Sequence, residues 1–231
     1  MRVHVAFTPG EATPAAVGVV IDVLRASSTL AQALAAGYRR VLCCAEVEDA
    51  RALAQTEGPA KLAGEQRLER IPGFDFGNSP RELAGAPAAE TLILTTTNGT
   101  RLLVSAAARF ARVYVGSLLN LDAVAAAARK GGEDVALLCA GVLGELALDD
   151  AYCAGRIAEA LRGEPADSAA AAIRIARSFD SAREGLGASR SAGNLRRHGL
   201  EEDVDWCARE NALDVVPRFV RTVGPAAEVT A

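Results

Sequence analysis

The order strand, helix, strand, helix, strand is written twice in this chain, and few architectures accommodate it. VGVVIDV (17–23), SSTLAQALAAG (27–37), RVLCCA (40–45), VEDARALAQ (47–55) and AKLAG (60–64) are followed by TLILTT (91–96), GTRLLVSAAARF (99–110), RVYVG (112–116), NLDAVAAAARK (120–130) and DVALLCAG (134–141). Short apolar strands alternating with amphipathic helices predict an α/β fold: a parallel or mainly parallel sheet covered by helices on both faces. Setting Val41 on Val113 aligns two Arg-Val strand starts, and Asp49-Ala50 then falls on Asp122-Ala123 after a slip of one residue. Such self-similarity is the mark of internal duplication, with repeats over 17–64 and 91–141 inside one domain spanning 1–231. A helical portion over 149–231 follows, where DDAYCAGRIAEAL (149–161) is capped by Asp149 or Asp150 and DSAAAAIRIARSF (167–179) by Asp167. These helices are expected to pack on the sheet.

Composition narrows what such a fold can serve. Half the residues are apolar, at 50%, yet no uninterrupted run approaches the roughly 20 residues of a membrane span. MRVHVAFTPGE lacks the long apolar segment and small-residue cleavage site of a secretory signal, so the expected location is the cytoplasm. A net charge of −4 with scattered arginines argues against a nucleic-acid face, and 4% aromatics against base-stacking platforms. The 5 cysteines, an odd number without paired spacing, form no disulfide framework; they read as reduced and mostly buried, with Cys43 or Cys44 directed into the core. Dimers are the commonest assembly of such proteins, and Val204, Trp206, Val215, Val216 and Phe219 either pack internally or join two subunits.

In doubly wound sheets the functional groups collect beyond the carboxyl ends of the strands. Asp22, Glu65, Thr95 to Asn98, Ser117 and Gly141 occupy those places. After the strand at 91–96 come Thr97, Asn98, Gly99, Thr100 and Arg101, then an alanine-rich helix; hydroxyls, a glycine and N–H groups at a helix start suit a phosphate. The turn after the strand at 17–23 carries Asp22, Arg25, Ser27, Ser28 and Thr29. Taken singly, either turn reads as ordinary helix capping. Together, each with an arginine and one with an aspartate that can hold a cation, they point to one anionic site. The loop GFDFGNSP (73–80) can fold over a ligand, with Phe74 and Phe76 anchored by burial and Asn78 and Ser79 facing the site.

Several phosphate chemistries are excluded by spacing. Six residues after Cys139 stands Glu145 rather than the arginine of a cysteine phosphatase, and two after Asp22 stands Leu24 rather than a second aspartate. There is no GxxxxGK[ST] loop and no G-x-S-x-G elbow. His4 and His198 read as structural or solvent-facing. The candidate metal ligands are Asp22, Glu65, Glu145 and Asp150, hard carboxylates that suit Mg²⁺ with retained waters better than Zn²⁺.

VVIDVLRASSTL, Gly64-Glu65, GFDFGNSP, TTTNGTR, the CAG at 139–141, Asp149-Asp150 before a helix and the late EDVDWCA together resemble the 2-phosphosulfolactate phosphatase family along nearly the whole chain. The resemblance implies a three-layer α/β/α fold. It also implies a Mg²⁺-dependent phosphatase acting on 2-phospho-3-sulfolactate, a step towards coenzyme M, and on related 2-phospho-hydroxy acids. On that basis Asp22 and Glu65, with Asp150, hold Mg²⁺ against a phosphate oxygen and a water. Ser27, Asn78, Ser79, Thr97, Asn98, Gly99 and Thr100 bind the substrate, Arg25 stabilises transition-state charge, and Arg190 meets the sulfonate or carboxylate. Arg101 is either a second anion contact or a surface residue of its helix. A covalent phosphoryl intermediate on Asp22 is the alternative route. The alternatives for function are a phosphatase for another 2-phospho-hydroxy acid and a non-catalytic binder of a phosphorylated metabolite.

Overall fold

A strand outside the repeats, β1 (Arg2–Ala6), leads into the first of them: β2 (Val17–Ile21), α1 (Ala26–Ala35), β3 (Arg40–Cys44), α2 (Val47–Thr56) and β4 (Ala60–Gln66). A short hairpin partner β5 (Glu69–Arg70) and α3 (Pro80–Ala84) precede the second repeat, β6 (Thr91–Thr95), α4 (Gly99–Ala107), β7 (Arg112–Gly116), α5 (Leu121–Arg129) and β8 (Val135–Cys139). Then come α6 (Leu148–Leu161), β9 (Glu164–Pro165), α7 (Asp167–Arg177), α8 (Ala182–Gly187), α9 (Arg190–Arg197) and α10 (Glu201–Cys207). The chain ends in β10 (Arg218–Val223) and β11 (Ala226–Thr230). This computed structural model describes residues 1–11, 13–86 and 88–231.

Among the described residues the strands form one sheet in the order β5-β4-β6-β3-β11-β10-β7-β2-β8-β1-β9. The repeats interlock. β6 of the second lies between β4 and β3 of the first, while β2 of the first lies between β7 and β8 of the second, all in parallel register. Both inserted strands are buried along their whole length, which explains why they read as unbroken apolar runs rather than alternating ones.

The sheet is mixed at its centre. β10 and β11 pair antiparallel with each other, with β7 and with β3, so the two parallel triplets run in opposite senses. The expectation of a wholly helical portion over 149–231 is therefore corrected: helices end at Cys207 and the terminal hairpin fills the gap between the repeats. Its signal was two short runs, RFVRTV and AAEVT, separated by Gly224-Pro225; Gly224, at φ +54°, makes the turn. The hairpin is half exposed and half built of small residues, so it lacks the apolar contrast of the other strands.

The sheet is the middle of three layers. On one face Leu30, Ala33 and Leu34 of α1 and Leu102, Leu103 and Ala106 of α4 pack over Val20, Val41, Cys43, Leu92, Leu94, Val113 and Val115. On the other, α5, α6, α7 and the C-terminal helices cover Val17, Val19, Ile21, Val135 and Leu137, and α2 covers Leu42, Cys44 and Ile93. Val204 sits in this core, with Phe219 half-buried at the edge of the opposite one. Cys43, Cys44, Cys139, Cys153 and Cys207 are all free and buried. No helix of the described residues is long and apolar enough to cross a membrane.

Sheet twist determines where the site falls. Five strand steps separate β6 from β2, and twist of ~20–25° per step turns the strand direction through more than a right angle. Added to the reversal at the central hairpin, this swings the carboxyl ends of the two triplets towards each other. α4 packs against β2 as well as β3, and α1 against β7 as well as β3.

Candidate active site

The two sequence turns meet at Gly99. A Cβ on that residue would lie 2.6 Å from both Ala26 Cβ and Asp22 Oδ2, so only glycine permits the start of α4 to sit on the β2–α1 turn. Around this contact opens a cleft of about 420 Å³ whose walls include Asp22, Arg25, Glu65, Asn78, Thr97, Asn98 and Arg190. A larger crevice of about 620 Å³ adjoins it across Glu65, Arg67 and Thr97. Asp22 does not reach that crevice, and there Arg101 is held by both oxygens of Glu46. Arg101 is thus a surface residue of α4.

Asp22 keeps some exposure on the cleft floor, but its carboxyl is deep enough that loss of hydration dominates its acidity. Its pKa is pushed up to about 7, first by desolvation and then by the charges of Asp149 and Glu65, against N–H donation from Ala26 and Gly99. Asp149 is pushed up to about 6 by burial, opposed by the Ser191 and Ser189 hydroxyls; Ser191 Oγ donates to Asp149 Oδ1 at 3.0 Å. Burial raises Asp150 well above the carboxylate range, and the charges of Asp149 and Asp22 raise it further. Of these three acids, Asp22 lines the cleft and the other two lie behind it.

Several predicted site residues are occupied elsewhere. Ser27 Oγ donates to Asp22 O at 2.9 Å and accepts from Asp22 N–H at 3.3 Å, closing the turn from behind. Thr100 is tied to Thr96: its Oγ1 donates to Thr96 O at 3.0 Å and its N–H to Thr96 Oγ1 at 3.2 Å. Neither lines the cleft. Ser79 Oγ points away from it, donating to Asp203 Oδ1 at 2.7 Å, and accepts from Glu82 N–H as the cap of α3. The Asp150 carboxyl accepts from Val23 N–H at 2.9 Å and Gly141 N–H at 3.0 Å, pinning the ends of β2 and β8 together. Neither aspartate at 149–150 is a helix cap; the cap positions of α6 and α7 are Ala147 and Ala166. Glu145 is exposed on the rim, 3.6 Å from Arg190.

The backbone cradle expected at 97–100 is likewise largely spent. Thr97 N–H donates to Glu65 Oε1 at 2.9 Å, the Gly99 N–H turns to Asp22, and the Thr100 N–H goes to Thr96. What remains toward the cleft is the exposed Thr97 and the part-exposed Asn98, which makes no side-chain capping bond. Glu65 is buried, its second oxygen accepting from Leu68 N–H at 2.8 Å. Asn78 is buried with its Oδ1 unpartnered in a residue that lines the cleft. No three His, Cys, Asp or Glu side chains among the described residues form a ready-made metal cluster. A cation here would take one or two carboxylates, neutral oxygens and the ligand's own atoms, the usual manner of Mg²⁺.

Three features were missed from sequence. Asp203, within the quoted EDVDWCA, lies behind the cleft and pairs with Arg25 at 2.6 Å. Two hairpin tips form the rim: Arg67-Leu68 between β4 and β5, and Leu143-Gly144 between Val142 and Glu145, with all four residues at positive φ. Both lack the Asn-Gly chemistry that usually announces such turns. His198, solvent-facing as expected, stands at the same rim. The Cys139 thiol, buried and raised well above its ordinary value, is no nucleophile.

The family model for 2-phosphosulpholactate phosphatase matches residues 4–222 of the chain. The chain is 40% identical to a probable 2-phosphosulfolactate phosphatase of Thermus thermophilus over 98% of each protein. It is 38% identical to one of Deinococcus radiodurans so named, over 95% of this chain and 94% of that one. It is 36% identical to the 2-phosphosulfolactate phosphatase of Methanothermobacter thermautotrophicus, over 95% and 92%.

Proposed function

The chain belongs to the 2-phosphosulfolactate phosphatase family, and from that premise we propose that it hydrolyses the phosphate ester of 2-phosphosulfolactate to sulfolactate and inorganic phosphate. The observation that carries this reading is the seating of Gly99 on Asp22, which gives the acidic turn and the hydroxyl turn one common cleft.

The donor set fits Mg²⁺. Asp22 supplies a carboxylate whose ionisation is opposed until a cation is near, Glu65 a second carboxylate in the same wall, and Asn78 Oδ1 a neutral oxygen without a protein partner. When bound, the ion supplies charge neutralisation and lowers the pKa of a coordinated water. Asp150 is assigned to holding the strand ends rather than to the ion, because it accepts the Val23 and Gly141 N–H groups and, unlike Glu65, does not line the cleft.

The chain's own residues orient and neutralise the ester. Arg25 reaches the cleft wall with guanidinium donors suited to phosphoryl oxygens, and Thr97 and Asn98 add neutral donors at the start of α4, where the helix dipole favours negative charge. Arg190 opens α9 on the far wall, where its planar fork suits the sulfonate or carboxylate of the substrate. Leu24, Leu68, Val142 and Leu195 supply the apolar part of the lining and limit water around the reacting group.

The test is phosphate release from 2-phosphosulfolactate, phospholactate and phosphoglycolate, each with Mg²⁺ and with a chelator. Mg²⁺-dependent release fastest from 2-phosphosulfolactate is expected. Faster release from either other ester reassigns the substrate, and no release from any ester leaves a phosphometabolite-binding protein.

A further inference from the structure

Arg25 is the cleft residue whose placement depends most on distant sequence. It is 3% exposed and pairs through Nη1 with Asp203 Oδ2 at 2.6 Å; Asp203, at 1%, belongs to α10 and is separated from it by 178 positions. The other Asp203 oxygen accepts from Ser79 Oγ at 2.7 Å. Arg25 lines the cleft, whereas Asp203 and Ser79 do not. Asp203 therefore grips the guanidinium from behind. A guanidinium carries five N–H donors, and among the described residues the Nη1 bond to Asp203 is the side-chain bond Arg25 makes.

Fold stability alone does not account for this arrangement. Desolvating both charges offsets most of their attraction, and apolar residues of similar volume often serve the fold as well. Orientation does account for it. A long arginine side chain gives up rotamer freedom when held, and doing so before a ligand arrives spares that cost at the reacting step. We propose that Asp203 is a positioning residue for the reaction: it holds Arg25 so that its remaining donors face the phosphoryl group, and Ser79 fixes the Asp203 carboxylate. α10 packs against α3 and α9, so the clamp ties the first-repeat turn, the 73–79 loop and the C-terminal helices to one side chain. The inference rests on the phosphatase reading above.

The test compares kcat and KM for the preferred ester in the wild type, Asp203→Asn, Ser79→Ala, Arg25→Gln and the Asp203→Asn/Arg25→Gln double variant, with folding checked by thermal melts. Asp203→Asn is expected to lower kcat by about 10²-fold, with KM within about threefold. Ser79→Ala, which keeps the charge pair, is expected to lower kcat by about tenfold and carries the test if Asp203→Asn does not fold. On the Arg25→Gln background Asp203→Asn should have no further effect, because the residue it positions is gone. The proposal is overturned if folded Asp203→Asn or Ser79→Ala keeps wild-type kcat, or if Asp203→Asn lowers kcat equally with and without Arg25. Should the wild type release no phosphate from any ester, the activity reading fails separately, and calorimetry with inorganic phosphate decides the clamp. Equal weakening of phosphate binding by Arg25→Gln and Asp203→Asn upholds it, and wild-type binding by Asp203→Asn removes it.

Discussion

The turns after β2 and after β6 occupy the same place in the two repeats, yet they are held in opposite ways. The β6 turn holds no carboxylate and is braced mainly by its own hydroxyls: Thr96 and Thr100 satisfy each other across four residues, the Thr97 N–H goes to Glu65, and the side chains of Thr97 and Asn98 are left toward the surface. The β2 turn is charged and is held from outside. Asp150, 127 positions away, accepts the Val23 N–H, and Asp203, 178 positions away, pairs with Arg25. Recurrence of the strand–helix order supplies two strand ends in comparable places, but charge in a desolvated turn requires counter-charge and donors that a local segment cannot provide. Hence the C-terminal helices, which have no counterpart in the repeats, bear on the chemistry by way of the β2 turn.

The largest contrast should come from removing the charge. Asp22→Asn is expected to lower kcat/KM by two or more decades, on the order expected for loss of a metal-assisted contact. The same change should stabilise the metal-free protein. The Asp22 pKa is raised from 3.8 to about 7 in the fold. The folded state therefore holds this proton more tightly, and its stabilising contribution is full below pH 3.8 and lost as pH rises to about 7. Asp149, raised to about 6, acts in the same direction. Thermal melts in chelator should show wild-type Tm declining across that window, a shallower decline for Asp22→Asn, and recovery on adding Mg²⁺. A wild-type profile that is flat in chelator would remove the electrostatic difference between the turns.

Next in size is the contact that joins them. Gly99→Ala places a methyl where only 2.6 Å separates it from Asp22 Oδ2 and from Ala26 Cβ, and both neighbours belong to a packed turn rather than to a flexible side-chain end. Overpacking of this kind costs about 1–3 kcal/mol, measurable by urea unfolding. Separation of the turns by even a fraction of an ångström should lower kcat by more than tenfold. Wild-type turnover in Gly99→Ala would mean that the two turns need not touch to work together.

Sequence legibility divides along the same line. The ten elements of the recurring strand–helix order and the meeting of the two turns were readable because apolar periodicity and turn residues are local signals. So were Asp22, Arg25, Asn78, Thr97, Asn98 and Arg190 as cleft residues. What could not be read was which polar groups are already partnered. Ser27, Ser79 and Thr100 have the same hydroxyl chemistry as Thr97, yet their hydrogen bonds are internal. Choosing between Asp149 and Asp150 required knowing that Val23 and Gly141 converge on the latter. Asp203 sat within a quoted motif, but its partner is in another third of the chain. The terminal hairpin was hidden because small and exposed residues give weak contrast even in the centre of a sheet.

The smallest expected effect on turnover is also the sharpest test of the turn braced by its own hydroxyls. Thr100→Val keeps the branched shape of a buried side chain and removes its hydroxyl, leaving the Thr96 N–H without its 3.0 Å acceptor. Loss of this acceptor, and of the hydroxyl's own bond to Thr96 O, should cost about 1–3 kcal/mol of stability. Because Thr100 lies behind the cleft wall, kcat and KM should stay within about threefold of wild type, as for other substitutions that leave transition-state contacts intact. Were Thr100 a direct phosphate donor, as its place in TTTNGTR implies, a loss of about 10²-fold would be expected. Kinetics of Thr100→Val beside its urea midpoint therefore distinguish a hydroxyl that braces the turn from one that binds substrate. A drop of two decades at unchanged stability would return Thr100 to the binding set and make the two turns alike.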